Sequence, residues 1–403
     1  MTTPADLGFD AERLGRLDAV LHQYVDKGKI PGVQTLISRH GELVHRDCYG
    51  FRDVEQERAV EPDTLYRIYS MTKPITSVAL MMLYEEGHFL MENAVSRWIP
   101  ELADLEVWTG GTKEAPETRP LESPLTVHHV LTHTSGLTYG FQFAHPVDAL
   151  YRSADLGNFT SPTYDLQECM ARLGRLPLQF EPGSAWNYSM STDVCGRLVE
   201  VMSGLSLDEF FRTRIFEPLG MSDTGFSAPD TDVDRCSTLY AFSPGKGMSL
   251  MAPAPAMTIP PSMLSGGGGL VSSADDYLRF CHLLVNGGEL DGVRLLSPRT
   301  LRFMTTNHLP GGQTLNDMGQ TTFAEVAMAG TGFGLGFSVL VDPAASQSLG
   351  SVGQYAWGGA ASTAFWIDPV EELAVVFMTQ LLPSNTYPLR RHLQAGVYQA
   401  LVD

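Results

Sequence analysis

From Asp10 onward the apolar positions Leu14, Leu17, Leu21, Tyr24 and Val25 recur at helical spacing, and Asp10 stands where a capping side chain belongs. The chain is therefore predicted to open on an amphipathic helix. Two β-rich runs follow, Gly32 to Ser38 and Leu43 to Tyr49, and the Arg39-His40-Gly41-Glu42 break between them predicts a hairpin. The C-terminus mirrors this order. Ser362 to Ile367 and Leu373 to Thr379 read as strands around Asp368-Pro369, and a helix is predicted from about Pro388 to Leu401. Between residues 75 and 260 the patterns are mostly helical, starting with the long apolar run Ile75 to Tyr84. Loops rich in Pro, Gly, Ser and Thr are expected at 109–124 and 157–163, and the Ala252 to Pro261 stretch reads as a surface connection rather than a substrate wall. The simplest arrangement is α+β. Residues 1–74 and 262–403 form an antiparallel sheet flanked by helices, a mostly helical domain of residues 75–261 is inserted, and an active site lies between them.

With 403 residues the chain can bury a large core and form two or three domains. No stretch of about 18 apolar residues is present, so no membrane span is predicted. Met1 to Asp10 has neither a basic start nor an apolar centre, so no secretory signal is expected there. The cysteines at 48, 169, 195, 236 and 281 are odd in number and never in C-x-x-C spacing, which predicts free thiols and a cytoplasmic setting. A net charge of −19 argues against nucleic acid and anionic membranes as partners. Oligomeric state leaves no trace in the sequence. His129 and His133 are four apart, but no glutamate follows His129 in the H-E-x-x-H manner, so both read as structural and no metal is expected.

The most informative chemistry is Ser70-Met71-Thr72-Lys73, followed by Pro74 and the apolar run. Serine and lysine three apart share one face of a helix turn. A serine hydroxyl attacks a carbonyl only when a neighbour takes its proton, and a lysine can do so only where burial holds its amine neutral part of the time. Arginine cannot substitute, because it does not lose its proton. The chain has only five lysines, at 27, 29, 73, 113 and 246, and Lys73 alone lies inside an apolar helical pattern. Ser243-Pro244-Gly245-Lys246 has the same spacing in a loop that cannot hold the geometry.

Two further stretches bear on this pair. In Glu181-Pro182-Gly183-Ser184-Ala185-Trp186-Asn187-Tyr188-Ser189, Tyr188 sits just before a helix predicted from Ser191–Asp193 to Gly204. A tyrosine near a lysine can shuttle protons, its phenol pKa lowered by the positive charge. Alone it means little, since it is one of 14 tyrosines and any one of them reads first as a packing residue. In Tyr355-Ala356-Trp357-Gly358-Gly359-Ala360, two glycines before a strand permit close backbone approach. If that edge faces Ser70, the amides of Ala360 and Ser70 can form an oxyanion hole; otherwise the stretch is a turn or bulge.

Taken together, Ser70-Met71-Thr72-Lys73, Tyr188-Ser189-Met190 and Trp357-Gly358-Gly359 resemble the serine hydrolases of the class C β-lactamase superfamily, and most closely its family VIII carboxylesterases. Leu131-Thr132-His133-Thr134-Ser135-Gly136-Leu137, Phe180 to Ser184, Ser265 to Leu270 and Gly332 to Gly336 support the resemblance, which spans roughly residues 10–400. It implies a β-lactamase-like fold and two-step acyl transfer without metal or cofactor. Ser70 would be acylated, Lys73 would activate it, Tyr188 would relay protons, and the amides of Ser70 and Ala360 would hold the oxyanion.

Two departures favour the esterase branch. The lactamases carry lysine where this chain has Trp357, and an indole cannot bind a substrate carboxylate through charge. They also carry asparagine at the position of Met190. With Trp357, Gly358, Gly359 and Met190 as substrate contacts, small, mostly neutral esters with short acyl chains are expected. A β-lactamase, a D-amino-acid peptidase or amidase, an acyltransferase using the same nucleophile, and a non-catalytic binding protein remain as alternatives. No G-x-S-x-G elbow is present for a Ser-His-Asp esterase.

Overall fold

The structure, a computed structural model, describes residues 3–158, 162–319 and 325–403. The opening helix runs Ala11–Asp26, its first turn capped by Asp10 accepting from the Arg13 amide at 2.9 Å. Strands Gly32–Arg39 and Glu42–Asp53 follow, joined by His40 and Gly41, both at positive φ. Two central residues at positive φ match the twist of the flanking strands, which is why a two-residue turn closes this hairpin.

These strands pair with the C-terminal ones in an eight-stranded sheet. Its order is Thr331–Phe333, Ser338–Leu340, Tyr355–Gly358, Ala364–Asp368, Leu373–Met378, Gly32–Arg39, Glu42–Asp53 and Arg58–Ala59, and every neighbouring pair is antiparallel. Both faces of the sheet are covered, so its central strand reads as an unbroken apolar run. Val375 and Phe377 join the outer cluster with Leu17, Leu21, Leu389 and Val397, while Ala374, Val376 and Met378 join the inner one with Val78 and Tyr277. The outer layer consists of the opening helix and Leu389–Tyr398, shorter than the predicted 388–401. Ala274–Val285 and Thr72–Glu85 supply helices to the inner side. The architecture is α+β, as the apolar patterns at the two chain ends predict.

Several local expectations are corrected. Tyr355–Gly358 is itself a strand, paired to Ala364–Asp368, and the predicted strand start at Ser362 falls in the turn between them. Gly359 N donates to Thr363 O and Ser362 N to Gly359 O, and this closure takes Ser362 out of the ladder at φ +71°. The expected loop 109–124 is partly a hairpin, Glu106–Gly111 with Pro116–Pro120. Of the expected loop 157–163, residues 159–161 lie outside the described residues. Within the mostly helical stretch, Leu239–Ser243 and Gly247–Ala252 form a hairpin that adds Leu381–Leu382 as a parallel neighbour. All five cysteines are free thiols, and among the described residues no helix is long and apolar enough to cross a membrane.

Candidate active site

Ser70 is held from both sides of the chain. Leu65–Arg67 pairs with Val271–Ser273, and the Ile68 amide donates to Leu270 O at 3.1 Å. Tyr69, at φ +45°, turns the backbone sharply just before Ser70, and the chain then winds through one tight turn, Tyr69–Met71, into the helix Thr72–Glu85. A non-glycine residue in this region is strained and persists only where its surroundings fix it. Here Tyr277 donates its hydroxyl to Met71 O at 2.9 Å, and the Leu270 amide donates to Thr72 Oγ1 at 3.1 Å. The helix is buried from Thr72 to Leu83, so Lys73 cannot snorkel outward; it is only 1 % exposed.

The three residues singled out for chemistry converge. Lys73 Nζ lies 3.2 Å from Ser70 Oγ, and the Tyr188 hydroxyl donates to the same Oγ at 2.5 Å. Lys73 also donates to Gly267 O at 2.6 Å. Burial pushes the Lys73 ammonium down to about 7, against the opposing pull of the Asp193 and Glu325 carboxylates. Near neutral pH the amine is thus often uncharged, able to donate to Gly267 and accept from Ser70.

The expectation for the Tyr188 phenol is reversed. Burial pushes its pKa up, and the Glu325 carboxylate adds to this, while hydrogen bonds from its Ser70 and Trp357 neighbours act the other way. Desolvation outweighs any help from a lysine that is itself frequently neutral. Tyr188 therefore stays protonated and acts as a donor. Its loop is fixed by Asn187, which donates from Nδ2 to Leu137 O and from its amide to His133 O, both at 3.0 Å. The tyrosine ring packs against His133, Tyr139 and Trp357 at 5.2–5.3 Å between centroids.

The Leu131 to Leu137 stretch thus buttresses Tyr188. His133 Nδ1 meets Ser189 Oγ at 3.2 Å, and burial pushes the imidazole well down, so the ring is neutral. His129 Nδ1 accepts from the Thr126 amide at 3.2 Å at a helix start. Among the described residues no cluster of three or more metal-capable side chains occurs.

Ala360 lies in the Gly359–Thr363 turn and lines the same cleft as Ser70. Neither the Ser70 nor the Ala360 amide donates to another described residue. Arg390, reaching over from the C-terminal helix, donates from Nη2 to Gly359 O at 2.9 Å and Thr363 O at 2.8 Å, and pairs with Glu325 at 2.6 Å. This explains both glycines. A Cβ on Gly358 would strike the Arg390 guanidinium, and one on Gly359 would lie 2.5 Å from Ile68 O. Their role here is close approach of Arg390 and of the strand before Ser70. Trp357, 1 % exposed, lies behind Tyr188, and Met190, 2 % exposed, begins the helix Ser191–Ser203 within the core. Neither lines the cleft beside Ser70.

That cleft encloses about 290 Å³ between Tyr139, Phe141, Phe226, Met257 and Met263. Ala256, Met257, Ile259 and Pro261 contribute to it, so the proline-rich stretch is a wall after all. Its turn composition hides this, because proline marks a connection without saying what the connection covers. Glu325 borders both this cleft and a second cavity of about 490 Å³ lined by Trp357, Trp366 and Arg390. Asp193, Glu325 and Arg390 carry no signal that singles them out in the sequence, and Gly267 is marked only as part of the glycine run Ser265 to Leu270. Asp193 looks like an ordinary acid in a helix first turn. Yet it accepts from Ser265 Oγ at 2.6 Å and from the Gly267 amide at 3.1 Å, fixing the turn that Lys73 contacts.

The beta-lactamase family model matches residues 17–399. Protein Rv1367c of Mycobacterium tuberculosis is 34% identical over 368 residues, covering 91% of this chain and 89% of that protein. Esterase EstB of Burkholderia gladioli is 31% identical over 413 residues, covering 98% of both chains. Among solved structures, EstCE1, described as a hydrolase with promiscuous acyltransferase activity, superposes with a TM-score of 0.79 at 27% identity, over 96% of this chain and 99% of that one. This chain belongs to the beta-lactamase family and is a serine hydrolase that stands, within that family, with the family VIII carboxylesterases.

Proposed function

We propose that the protein is a carboxylesterase acting on small carboxylic esters with short acyl chains, mostly neutral around the scissile bond, through an acyl-enzyme on Ser70. The observation that carries this reading is the bracketing of Ser70 Oγ by an amine that is neutral part of the time near pH 7, at 3.2 Å, and a protonated phenol at 2.5 Å. Lys73 takes the Ser70 proton as Oγ bonds to the carbonyl carbon. The amides of Ser70 and Ala360 receive the oxyanion, aided by the helix that starts at Thr72. Tyr188 protonates the leaving alkoxide and regains its proton from the Lys73 ammonium. Water then attacks the acyl-enzyme, and the same groups run in reverse.

Ester rather than lactam chemistry is favoured by Trp357, which presents a buried indole against Tyr188 and no cation. The similarity to esterase EstB supports the same choice. Transfer of the acyl group to an alcohol in place of water needs no further residue, and the likeness to EstCE1 favours it as a side reaction. Steady-state turnover of p-nitrophenyl butyrate and of nitrocefin tests the assignment. The ester is expected to be the far better substrate; a protein that hydrolyses nitrocefin faster than the ester belongs to the lactamase branch.

A further inference from the structure

Arg67 lines the cleft three residues before Ser70, and no carboxylate lies within ion-pair distance of it among the described residues. Arg39 and Arg390, by contrast, have carboxylate partners: Arg39 pairs with Glu371 and Asp403, and Arg390 with Glu325. Arg67 is well held nonetheless. Its backbone is pinned by Gln380, which accepts from the Arg67 amide at 3.3 Å and donates to the Arg67 carbonyl at 3.0 Å. Its guanidinium donates from Nη1 to Ser237 O at 3.0 Å and from Nη2 to Pro253 O at 3.3 Å. Two of its five N–H groups are thus used, and the rest have no acceptor among the described residues. Burial opposes its charge, and no acid offsets that cost.

A guanidinium that is held in place, partly desolvated and without a carboxylate partner beside an apolar cleft is a receptor for an anion. We propose that Arg67 forms a carboxylate subsite, so that the enzyme favours esters carrying a second, free carboxylate. This rests on the carboxylesterase reading and extends it. The cation missing at Trp357 is supplied from a different wall, on the strand that leads into Ser70. Arg67 and Ser70 line the same cleft of about 290 Å³, and that volume limits the chain joining carboxylate and scissile carbonyl to a short one. Hemi-esters of short dicarboxylic acids, or short acyl esters of hydroxy acids, have that shape. The net charge of −19 makes a local cation the more necessary for drawing in an anionic substrate.

The test compares matched substrates: p-nitrophenyl hydrogen glutarate with its neutral methyl ester, and the acetyl ester of 4-hydroxybutyrate with the acetyl ester of methyl 4-hydroxybutyrate. In one of the two pairs the wild-type enzyme is expected to have a kcat/KM about tenfold higher for the anionic member. Arg67→Gln should remove that preference, lowering the anionic rate about tenfold more than the neutral one, and Arg67→Lys should restore part of it. No preference in either pair, or a preference that survives Arg67→Gln, overturns the subsite. Equal losses on both members would show that Arg67 only supports the wall at Pro253. Glutarate binding to the Ser70→Ala protein, measured by calorimetry against dimethyl glutarate, reads the subsite without turnover. Tight glutarate binding with no ester hydrolysis by the wild type would uphold the subsite while overturning the esterase reading, and no glutarate binding with rapid turnover of the neutral ester would do the opposite.

Discussion

The carbonyl of Gly267 accepts a hydrogen bond from Lys73 Nζ at 2.6 Å, and the amide of the same glycine donates to Asp193 at 3.1 Å. A Cβ on Gly267 would lie 2.8 Å from the Asp193 carboxylate, so only glycine lets the backbone come this close to both partners. Thr76 adds a third tie by donating to Gly266 O at 2.7 Å. The proposed base is thereby oriented by backbone, and its lone pair is left for Ser70.

Because the Lys73 ammonium titrates near 7, activity should follow its deprotonation. kcat/KM for p-nitrophenyl butyrate is expected to fall as pH drops below about 7 and to level off above it. Lys73→Arg should cost about 10³-fold or more, since the guanidinium keeps its proton. Measured pH–rate profiles that stay flat from pH 5 to 9 (about two units on either side) would remove Lys73 from the base role.

The same shift has a stability consequence. The folded-state pKa of Lys73 lies below its unfolded value, so the unfolded chain binds more protons between the two values. Stability should therefore rise with pH from about 7 to about 10.5, and this contribution should vanish in Lys73→Met. At pH 7 that variant is expected to be inactive and more stable by about 2 to 4 kcal/mol, read by urea unfolding.

Asp193 raises the Lys73 pKa through its charge. Asp193→Asn keeps an acceptor for Ser265 or Gly267 but removes that charge, so the acid limb of the pH profile should move to lower pH. Asp193→Ala loses both hydrogen bonds and should lower kcat at every pH. A limb that stays in place in Asp193→Asn would show that the carboxylate is only a fastener.

Arg390 fixes the turn that carries the Ala360 amide. Arg390→Ala should lower kcat about 10²-fold with a smaller change in KM, the mark of an interaction made in the transition state. It should also cost about 3 kcal/mol, because Glu325 is left buried and unpaired. Adding Glu325→Gln should return stability without returning kcat. Gly359→Ala is expected to be still more damaging, through Ile68, whereas Gly15→Ala, in the opening helix with open space around it, should stabilise by about 0.5–1 kcal/mol. Circular dichroism melts and steady-state kinetics separate these outcomes.

The parts legible in the sequence were those written in local patterns. Leu14, Leu17 and Leu21 specify a helix face, Leu373–Met378 a strand buried on both sides, and Ser70 with Lys73 a shared turn. The parts that were not legible depend on burial and on pairs far apart in the chain. Tyr188 is raised rather than lowered because its surroundings are dry, which no spacing reveals. Arg390 meets Gly359 and Glu325 only after the C-terminal helix docks. Gly358 and Gly359, which suggest substrate contact, are glycine to admit Arg390 and the Ile68 carbonyl. Met190 follows a motif tyrosine yet faces the core.

The most direct test of the central claim is intact-protein mass spectrometry after brief exposure to a p-nitrophenyl alkylphosphonate, with peptide mapping of the modified protein. One adduct per chain is predicted, on the peptide containing Ser70, with loss of esterase activity in proportion and no adduct in Ser70→Ala. Esterase turnover that persists in Ser70→Ala, or an adduct that maps to another residue, would contradict the account.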